Sequence, residues 1–365
     1  MSRTRTLAVF LGTITLLLFA TNTVVCTALL VAFDINPPYV WMVESALAFL
    51  GASFIAATII GNFYHNIFVR AYYTLSAIWM GTFFYLFLAS LLYGALVATS
   101  PSLMFVGPVL FILAIFVSVY AVLHARKIVV THVPLALPNL PQTWRGRKIV
   151  WISDIHLGHI HGKKFMQKIV DIIQPLSPDM VFIGGDLYDG ARTPDIPALT
   201  APLSTLRAPL GVYFITGNHE EYGDVAHFLS VVESTGARVL KDELFEVDGL
   251  QLIGVDYKNA SDAEQFKTIL ANLKIDPNKP SILLKHEPRD LHIAAAAGVS
   301  LQISGHTHKA QLWPLGFLAE RIYKGFAYGL HTLDRMQVYT SSGVGTWGPP
   351  MRVGTHSEIV VFTFK

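Results

Sequence analysis

The sequence predicts an α/β domain preceded by a membrane-embedded helical segment, and three observations carry that expectation. Hydrophobic residues make up 52% of the 365 and charged residues only 14%, which is too apolar for an ordinary soluble domain. The excess is concentrated in residues 1–130, which contain four long apolar stretches. Beyond residue 147, short β-rich runs alternate with helical stretches, and several of the runs end in polar residues able to bind a metal ion.

The four apolar stretches run from Leu7 to Phe33, Tyr39 to Asn62, Ala71 to Ala98 and Leu103 to Leu123. Each reaches the roughly 20 residues a helix needs to cross a hydrocarbon core, so they predict four transmembrane helices. Asn36, Pro37 and Pro38, then Gly61 and Asn62, then Ser100 and Pro101 break the stretches with helix-stopping residues. Tyr39, Trp41, Tyr72, Tyr73 and Tyr120 lie towards the ends, where aromatic rings anchor at the membrane interface. A cleaved signal peptide is the alternative for the first stretch, but its apolar core is long and three spans follow it. Cys26 is the only cysteine, lies within an apolar run and reads as an inert buried thiol. Glu44, inside the second stretch, reads as a carboxyl near the interface, with no acid or base in another span to pair with it.

Charge sets the expected orientation. Arg3 and Arg5 precede the first stretch, Arg70 lies between the second and third, and Arg126 and Lys127 follow the fourth. All five basic residues then place the amino terminus and the carboxy-terminal part on the cytoplasmic side of a membrane, here expected to be a bacterial cell membrane. Taking these five and the acids Asp34 and Glu44 from the 27 basic and 25 acidic residues leaves 22 and 23 beyond residue 130, a formal charge of −1. That part has no basic footprint for nucleic acid. The expected organisation is a membrane anchor over 1–130, a linker over 131–147 stiffened by Pro134, Pro138 and Pro141, and a catalytic domain over 148–365.

In the last part, strands are expected at Lys148–Ser153, Met180–Ile183, Val212–Ile215, Ser281–Leu284 and Leu301–Ile303. Helices are expected near Lys163–Gln174, Asp224–Thr235, Ala263–Asn272 and Asp290–Ala297. The five strands are followed, in order, by Asp154 and His156; Gly185 and Asp186; Gly217, Asn218, His219 and Glu220; His286; and Gly305, His306 and His308. Loops at strand ends can direct several ligands into one crevice while the sheet holds their backbones. A lone Asp-x-His is weak evidence, whereas five clusters after five strands predict a site for two adjacent metal ions.

These clusters, in this order, make residues 148–365 resemble the calcineurin-like metallophosphoesterase superfamily. The resemblance implies a four-layered α/β/β/α sandwich. It implies that Asp154, His156 and His308 hold one ion, that Asp186 bridges, and that Asn218, His286 and His306 hold the second. Two divalent ions, manganese, iron or zinc by the mixed nitrogen and oxygen donors, would activate a shared water for in-line attack on phosphorus. His219 would stay off the metals as general acid or transition-state stabiliser, oriented by the Asp189 carboxylate. The implied activity is hydrolysis of a phosphodiester or pyrophosphate bond.

The tail resembles a narrower, membrane-tethered branch through Gln311, Leu312, Trp313 and Pro314 and through residues 343–352, a branch that includes relatives of the UDP-2,3-diacylglucosamine pyrophosphatases. A lipid-linked or nucleotide-linked substrate is the corresponding expectation. The run Leu312–Leu330, rich in large apolar side chains, reads either as core or as a surface at headgroup level with Arg321 and Lys324 toward anionic lipid. Arg289 and Arg352 are candidates for a second phosphate or a carboxylate, and His159 and His161 read as solvated loop residues. The contrasting expectation is a membrane sensor or scaffold that keeps the fold and signals through a partner. Degenerate relatives of enzymes lose a ligand or the catalytic histidine, and this chain has lost neither.

Overall fold

The computed structural model describes residues 3–190, 193 and 195–365, with side chains from Leu17 onward. The polypeptide forms two compact units, one running up to Leu123 and including Gly348–Met351, the other comprising His124–Trp347 and Arg352–Lys365.

The first unit is built on the helices α1 (Arg3–Ala32), α2 (Pro37–Gly61), α3 (Ile67–Thr99) and α4 (Gly107–Ala125), the last ending just beyond the unit's boundary. Proline opens α2, where a missing N–H costs nothing, and Asn66 caps α3 by accepting from the N–H groups of Phe68 and Val69 at 3.1 and 3.0 Å. Among the described residues, three helical segments are long and apolar enough to cross a membrane: Pro37–Gly61, Ile67–Thr99 and Pro101–Ala125. The fourth expected span falls in α1, and the side chains of its first part, like those of Arg3 and Arg5, lie outside the described residues.

The second unit stacks two six-stranded sheets. The first has the order β1 (Ile128–Leu135), β12 (Ser357–Phe364), β2 (Lys148–Ile152), β3 (Met180–Ile183), β4 (Val212–Phe214), β5 (Arg238–Val239). The second runs β10 (Gly329–Leu333), β11 (Met336–Thr340), β9 (Leu301–Ser304), β8 (Ser281–Leu284), β7 (Leu250–Gly254), β6 (Glu243–Val247). Strands β2, β3 and β4 are mutually parallel, as are β7, β8 and β9, so their carboxyl ends share one edge in each sheet.

The alternation of side chains along a strand fixes the layers. Ile149, Trp151, Met180 and Phe182 pack with Leu252, Ile282, Leu284 and Ile303 in one apolar cluster, which is the seam between the sheets. Their neighbours Val150, Ile152, Val181 and Ile183 instead pack with Met166, Ile169, Val170 and Phe228 from helices outside the first sheet. On the other side Ile253, Leu283 and Val338 meet Phe266, Leu270 and Ala294. The result is the expected α/β/β/α sandwich, and both parallel cores are buried on two faces, as near-continuous apolar strands require.

The linker expectation needs correction at its start. Residues Thr131–Leu135 complete β1, which pairs in parallel with β12 from Ile128 opposite Ser357 to Leu135 opposite Phe364. Pro134 is tolerated because β1 is an edge strand, where a missing donor leaves no central ladder bond unmade. Further on, Trp144 is fully buried and its indole N–H donates to the Asp248 carbonyl at 3.1 Å. Pro134 thus belongs to an edge strand, while Pro138 and Pro141 lie in the loop that follows it.

A Cβ added at Gly184, just past β3, would overlap the ring of the buried Trp151. Gly184→Ala is therefore expected to destabilise by about 1–3 kcal/mol through overpacking, lowering the thermal midpoint of the detergent-solubilised protein by several degrees. An unchanged midpoint would show that the Trp151 ring can move aside.

Candidate metal centre

Five strand ends, three from the first sheet and two from the second, deliver the polar side chains. Asp154 and His156 follow β2, Asp186 follows β3, Asn218 and His219 follow β4, His286 follows β8, and His306 and His308 follow β9. The loops are tied by main-chain bonds: Asp154 N–H to Gly185 O at 3.0 Å, His156 N–H to Asp186 O at 3.0 Å, and Gly305 N–H to His286 O at 2.8 Å. Asp154, His156, Asp186, His306 and His308 all adopt positive φ, between 48° and 68°. Non-glycine residues rarely adopt this conformation, and such positions concentrate at functional sites. Sharp turns fall on the polar residues themselves, not only on the expected glycines. Gly217 has a different task, because a Cβ there would overlap the Asp186 carboxylate.

The side chains form three overlapping groups whose nitrogen and oxygen atoms lie within 4.8 Å of one another: Asp154, His156 and His308; His156, Asp186 and His219; Asp186, His286 and His306. His156 Nε2 is 3.1 Å from His308 Nε2, and His308 Nε2 is 3.6 Å from Asp154 Oδ1. Asp186 Oδ2 lies 3.9 Å from His156 Nε2 and 3.2 Å from His286 Nε2. Asn218 Oδ1 is 3.3 Å from His286 Nε2, and His306 Nδ1 is 3.2 Å from the same nitrogen. All seven residues expected to hold metal are thus brought together.

Electrostatics here resemble a cation site. Burial keeps His156 and His308 neutral, well below the usual imidazole range. Burial likewise lowers His306 to about 4, with the charge of His286 adding to the effect. Two neutral imidazoles facing each other through Nε2 can share at most one proton, so a lone pair is left turned inward. The Nδ1 atoms of His156 and His308 are themselves buried without a hydrogen-bond partner. Burial also raises Asp154, to about 6. For Asp186 burial acts in the same direction, but the imidazoles around it, His286 first, outweigh it and hold the carboxyl low. Burial would lower His286 too, yet Asp186 and Asp154 lift it to about 10. His286 Nδ1 donates to the Gly184 carbonyl at 2.7 Å, which orients the ring with Nε2 toward Asp186. The residues present fit a pair of divalent cations.

Two expected roles are corrected. The group that orients His219 is the main-chain carbonyl of Asp189, 2.6 Å from His219 Nδ1, whereas the Asp189 carboxylate faces His156 Nδ1 at 3.6 Å. Burial, reinforced by the charge of Asp186, raises that carboxyl to about 7. Arg352 is fully buried and donates to the carbonyls of Ser342, Gly343 and Gly345 at 2.7, 3.2 and 2.7 Å. It braces the loop behind the site rather than meeting a second phosphate. Arg289 is exposed at the rim, paired with Glu287 at 2.7 Å, whose carboxylate also lies 3.5 Å from His306 Nε2. His161 is not solvated: its Nε2 accepts from the Thr346 N–H at 3.2 Å and hydroxyl at 2.8 Å, and its ring stacks on Phe165.

Glu220 ends the strand-end cluster after β4, and nothing in the sequence pattern gives it a ligand role. Its buried carboxylate accepts from the N–H groups of Asp186, Leu187, Tyr188 and Gly217 at 2.9, 2.9, 3.3 and 2.7 Å. It locks two ligand-bearing loops to each other. An acid directly after His219 was the available signal. Tyr222, Tyr323 and Trp347 were also unassigned, and their rings stand 5.0 Å from His219, 6.4 Å from His306 and 6.5 Å from His219.

The family profile for calcineurin-like phosphoesterases matches residues 147–310. An uncharacterised metallophosphoesterase of Campylobacter jejuni is 33% identical over 261 residues, covering 70% of this chain and 68% of its own. An uncharacterised metallophosphoesterase of Aquifex aeolicus is 34% identical over 226 residues, covering 60% and 85%. A protein of Danio rerio described as a transmembrane protein with metallophosphoesterase domain is 34% identical over 281 residues, covering 70% of this chain and 61% of its own. The chain belongs to the calcineurin-like phosphoesterase family. By class it is a metal-dependent phosphoesterase, and the family uses a dinuclear divalent metal centre.

Glu220→Ala would leave four buried N–H groups without an acceptor and is expected to cost on the order of 3 kcal/mol, read as a fall in thermal midpoint. Bound metal, measured by elemental analysis, should fall with it. Full metal content at an unchanged midpoint would refute the locking role.

Proposed function

We propose that this protein is a membrane-anchored, dinuclear-metal phosphoesterase that hydrolyses a phosphodiester or pyrophosphate bond in a lipid-linked or nucleotide-linked compound. The observation that carries the proposal is the meeting of Asp154, His156 and His308 with Asp186, His286 and His306, joined where His156 Nε2 lies 3.9 Å from Asp186 Oδ2. Asp154, His156 and His308 would hold one cation, Asn218, His286 and His306 the other, with Asp186 shared between them. When bound, two divalent cations supply Lewis acidity, an activated water and charge neutralisation for a phosphoryl group; manganese, iron and zinc suit the donors.

His219 is the group of the chain best suited to the departing oxygen. Its Nδ1 is held by the Asp189 carbonyl and its backbone N–H donates to Asp186 Oδ1 at 2.9 Å, so the ring's free Nε2 is the atom able to carry a proton to the leaving group. The rings of Tyr222 and Trp347 stand beside it. Arg289 at the rim is the candidate contact for a second anionic group of the substrate, since a guanidinium exposed on one side of its Glu287 pair keeps donors to offer. Anchoring is supported by the three long apolar helices and by the description of the Danio rerio relative. The basic residues flanking the apolar stretches favour a cytoplasmic catalytic unit.

Purified protein supplied with manganese is expected to hydrolyse an aryl phosphodiester. His219→Ala should lose about 10²–10⁴-fold in kcat while keeping its metal, and Asp186→Asn should lose metal and activity together. A wild-type protein that binds no metal and cleaves nothing across a broad phosphoester panel would end this reading. For the orientation, a reporter fused after Lys365 is expected to be active only in the cytoplasm, and activity only on the outer face would reverse the assignment.

A further inference from the structure

The segment between His308 and Tyr323 begins and ends at the metal centre. His308 belongs to the first ligand group, and Tyr323 at the other end donates its hydroxyl to Glu287 at 3.1 Å and stands 6.4 Å, ring to ring, from His306. Between them lies the short helix Gly316–Ile322, in which only Ala319 is buried. Phe317 is 74% exposed, Leu318 55% and Ile322 51%, with Trp313 and Leu315 exposed just before the helix. Trp347, 60% exposed, continues this surface, because Gln311 bonds both its carbonyl and its N–H at 3.0 Å. Trp347 in turn lies 6.5 Å from the His219 ring. Large apolar side chains are thus exposed along the segment that joins His308 to Tyr323 and at Trp347: two tryptophans, a phenylalanine, two leucines and an isoleucine.

Such residues are ordinarily buried in a soluble domain, and a contiguous exposed set marks a surface that something covers. Two features identify the occupant. Among its described residues the same polypeptide carries three helical segments long and apolar enough to cross a membrane, so this surface is tethered to a bilayer whenever they are inserted. Arg321 and Lys324 lie exposed among the apolar residues, and no ion pair among the described residues uses either. Cations interleaved with Trp, Phe and Leu match an anionic headgroup layer, with the rings at the interface and the charges against lipid phosphates.

We infer that the surface formed by Trp313, Leu315, Phe317, Leu318, Ile322 and Trp347 docks onto an anionic bilayer and sets the metal centre at headgroup level. This rests on the anchored part of the proposed function and not on its chemistry. The sequence left the run Leu312–Leu330 undecided between core and surface, and the structure divides it: Leu312, Ala319 and Ala327 are buried, while the larger side chains of the helix face outward. Phosphoesters carried by lipids would then reach the site without leaving the bilayer.

The test uses the full chain reconstituted into phosphatidylcholine vesicles with or without phosphatidylglycerol. Cys26→Ser removes the native thiol, and spin labels are placed through Phe317→Cys, Leu318→Cys and, as an aqueous control, Lys267→Cys on the exposed face of the helix Ala263–Leu273. Labels at 317 and 318 are expected to show an oxygen-to-nickel-chelate accessibility ratio at least about threefold above that of the label at 267 in anionic vesicles, as interfacial insertion requires. The ratio should fall in phosphatidylcholine alone and in a variant with Arg321→Glu and Lys324→Glu. Ratios equal to the aqueous control at both positions in anionic vesicles would overturn the inference, as would dipolar broadening between labels, which would mark a contact between two copies instead. Resistance of the reconstituted protein to alkaline carbonate reads the anchoring separately, so a failure of anchoring and a failure of docking give different results.

Discussion

The catalytic unit depends on burying Asp186 among imidazoles. A carboxylate removed from water is costly unless its charge is answered, and here the answer comes from residues far apart in the chain: His156, His219 through its backbone N–H, and His286 from the second sheet. That one carboxylate couples β2, β3, β4 and β8, so neither sheet can shift against the other without opening the site. The same carboxylate, with Asp154, holds His286 well above the usual imidazole range.

Around this centre the protein places a second ring of groups that touch no phosphoryl oxygen but fix those that would. Glu220 gathers four N–H donors from the loops carrying Asp186 and Asn218. Arg352 binds three carbonyls of the loop behind Asp154, and Glu358 accepts from Thr131, Tyr328 and Ser341 near the start of β12. Buried charges arranged this way are satisfied by backbone and hydroxyl groups, which lets the strained ligand turns persist. The site is thus rigid by construction, while its rim between His308 and Tyr323 turns large apolar side chains outward.

Local patterning made much of this legible. Strands Met180–Ile183 and Ser281–Leu284 and the helix starting at Lys163 follow directly from apolar runs and their spacing, because those signals are carried by neighbours in sequence. All seven expected ligands meet, because polar residues after parallel strands have little choice but to share an edge. The errors arose where a side chain's partner is remote. Asp189 follows Asp186 closely, yet whether its carboxylate or its carbonyl meets His219 depends on how the loop turns. Arg352 had the composition of an anion contact and became a buried brace.

The sequence by itself determined that an apolar helical segment precedes an α/β unit and which residue types would surround a pair of cations, since periodicity and strand-end chemistry are local properties. Only the tertiary structure decided which atoms face one another. It made β1 part of a sheet, turned the Asp189 carboxylate to His156, gave Glu220 its four donors and left Phe317 and Trp347 in the open. Burial and the direction of these hydrogen bonds are set by groups that packing brings together, and for Asp189, Arg352 and most of the Glu220 donors those groups lie several to many residues away.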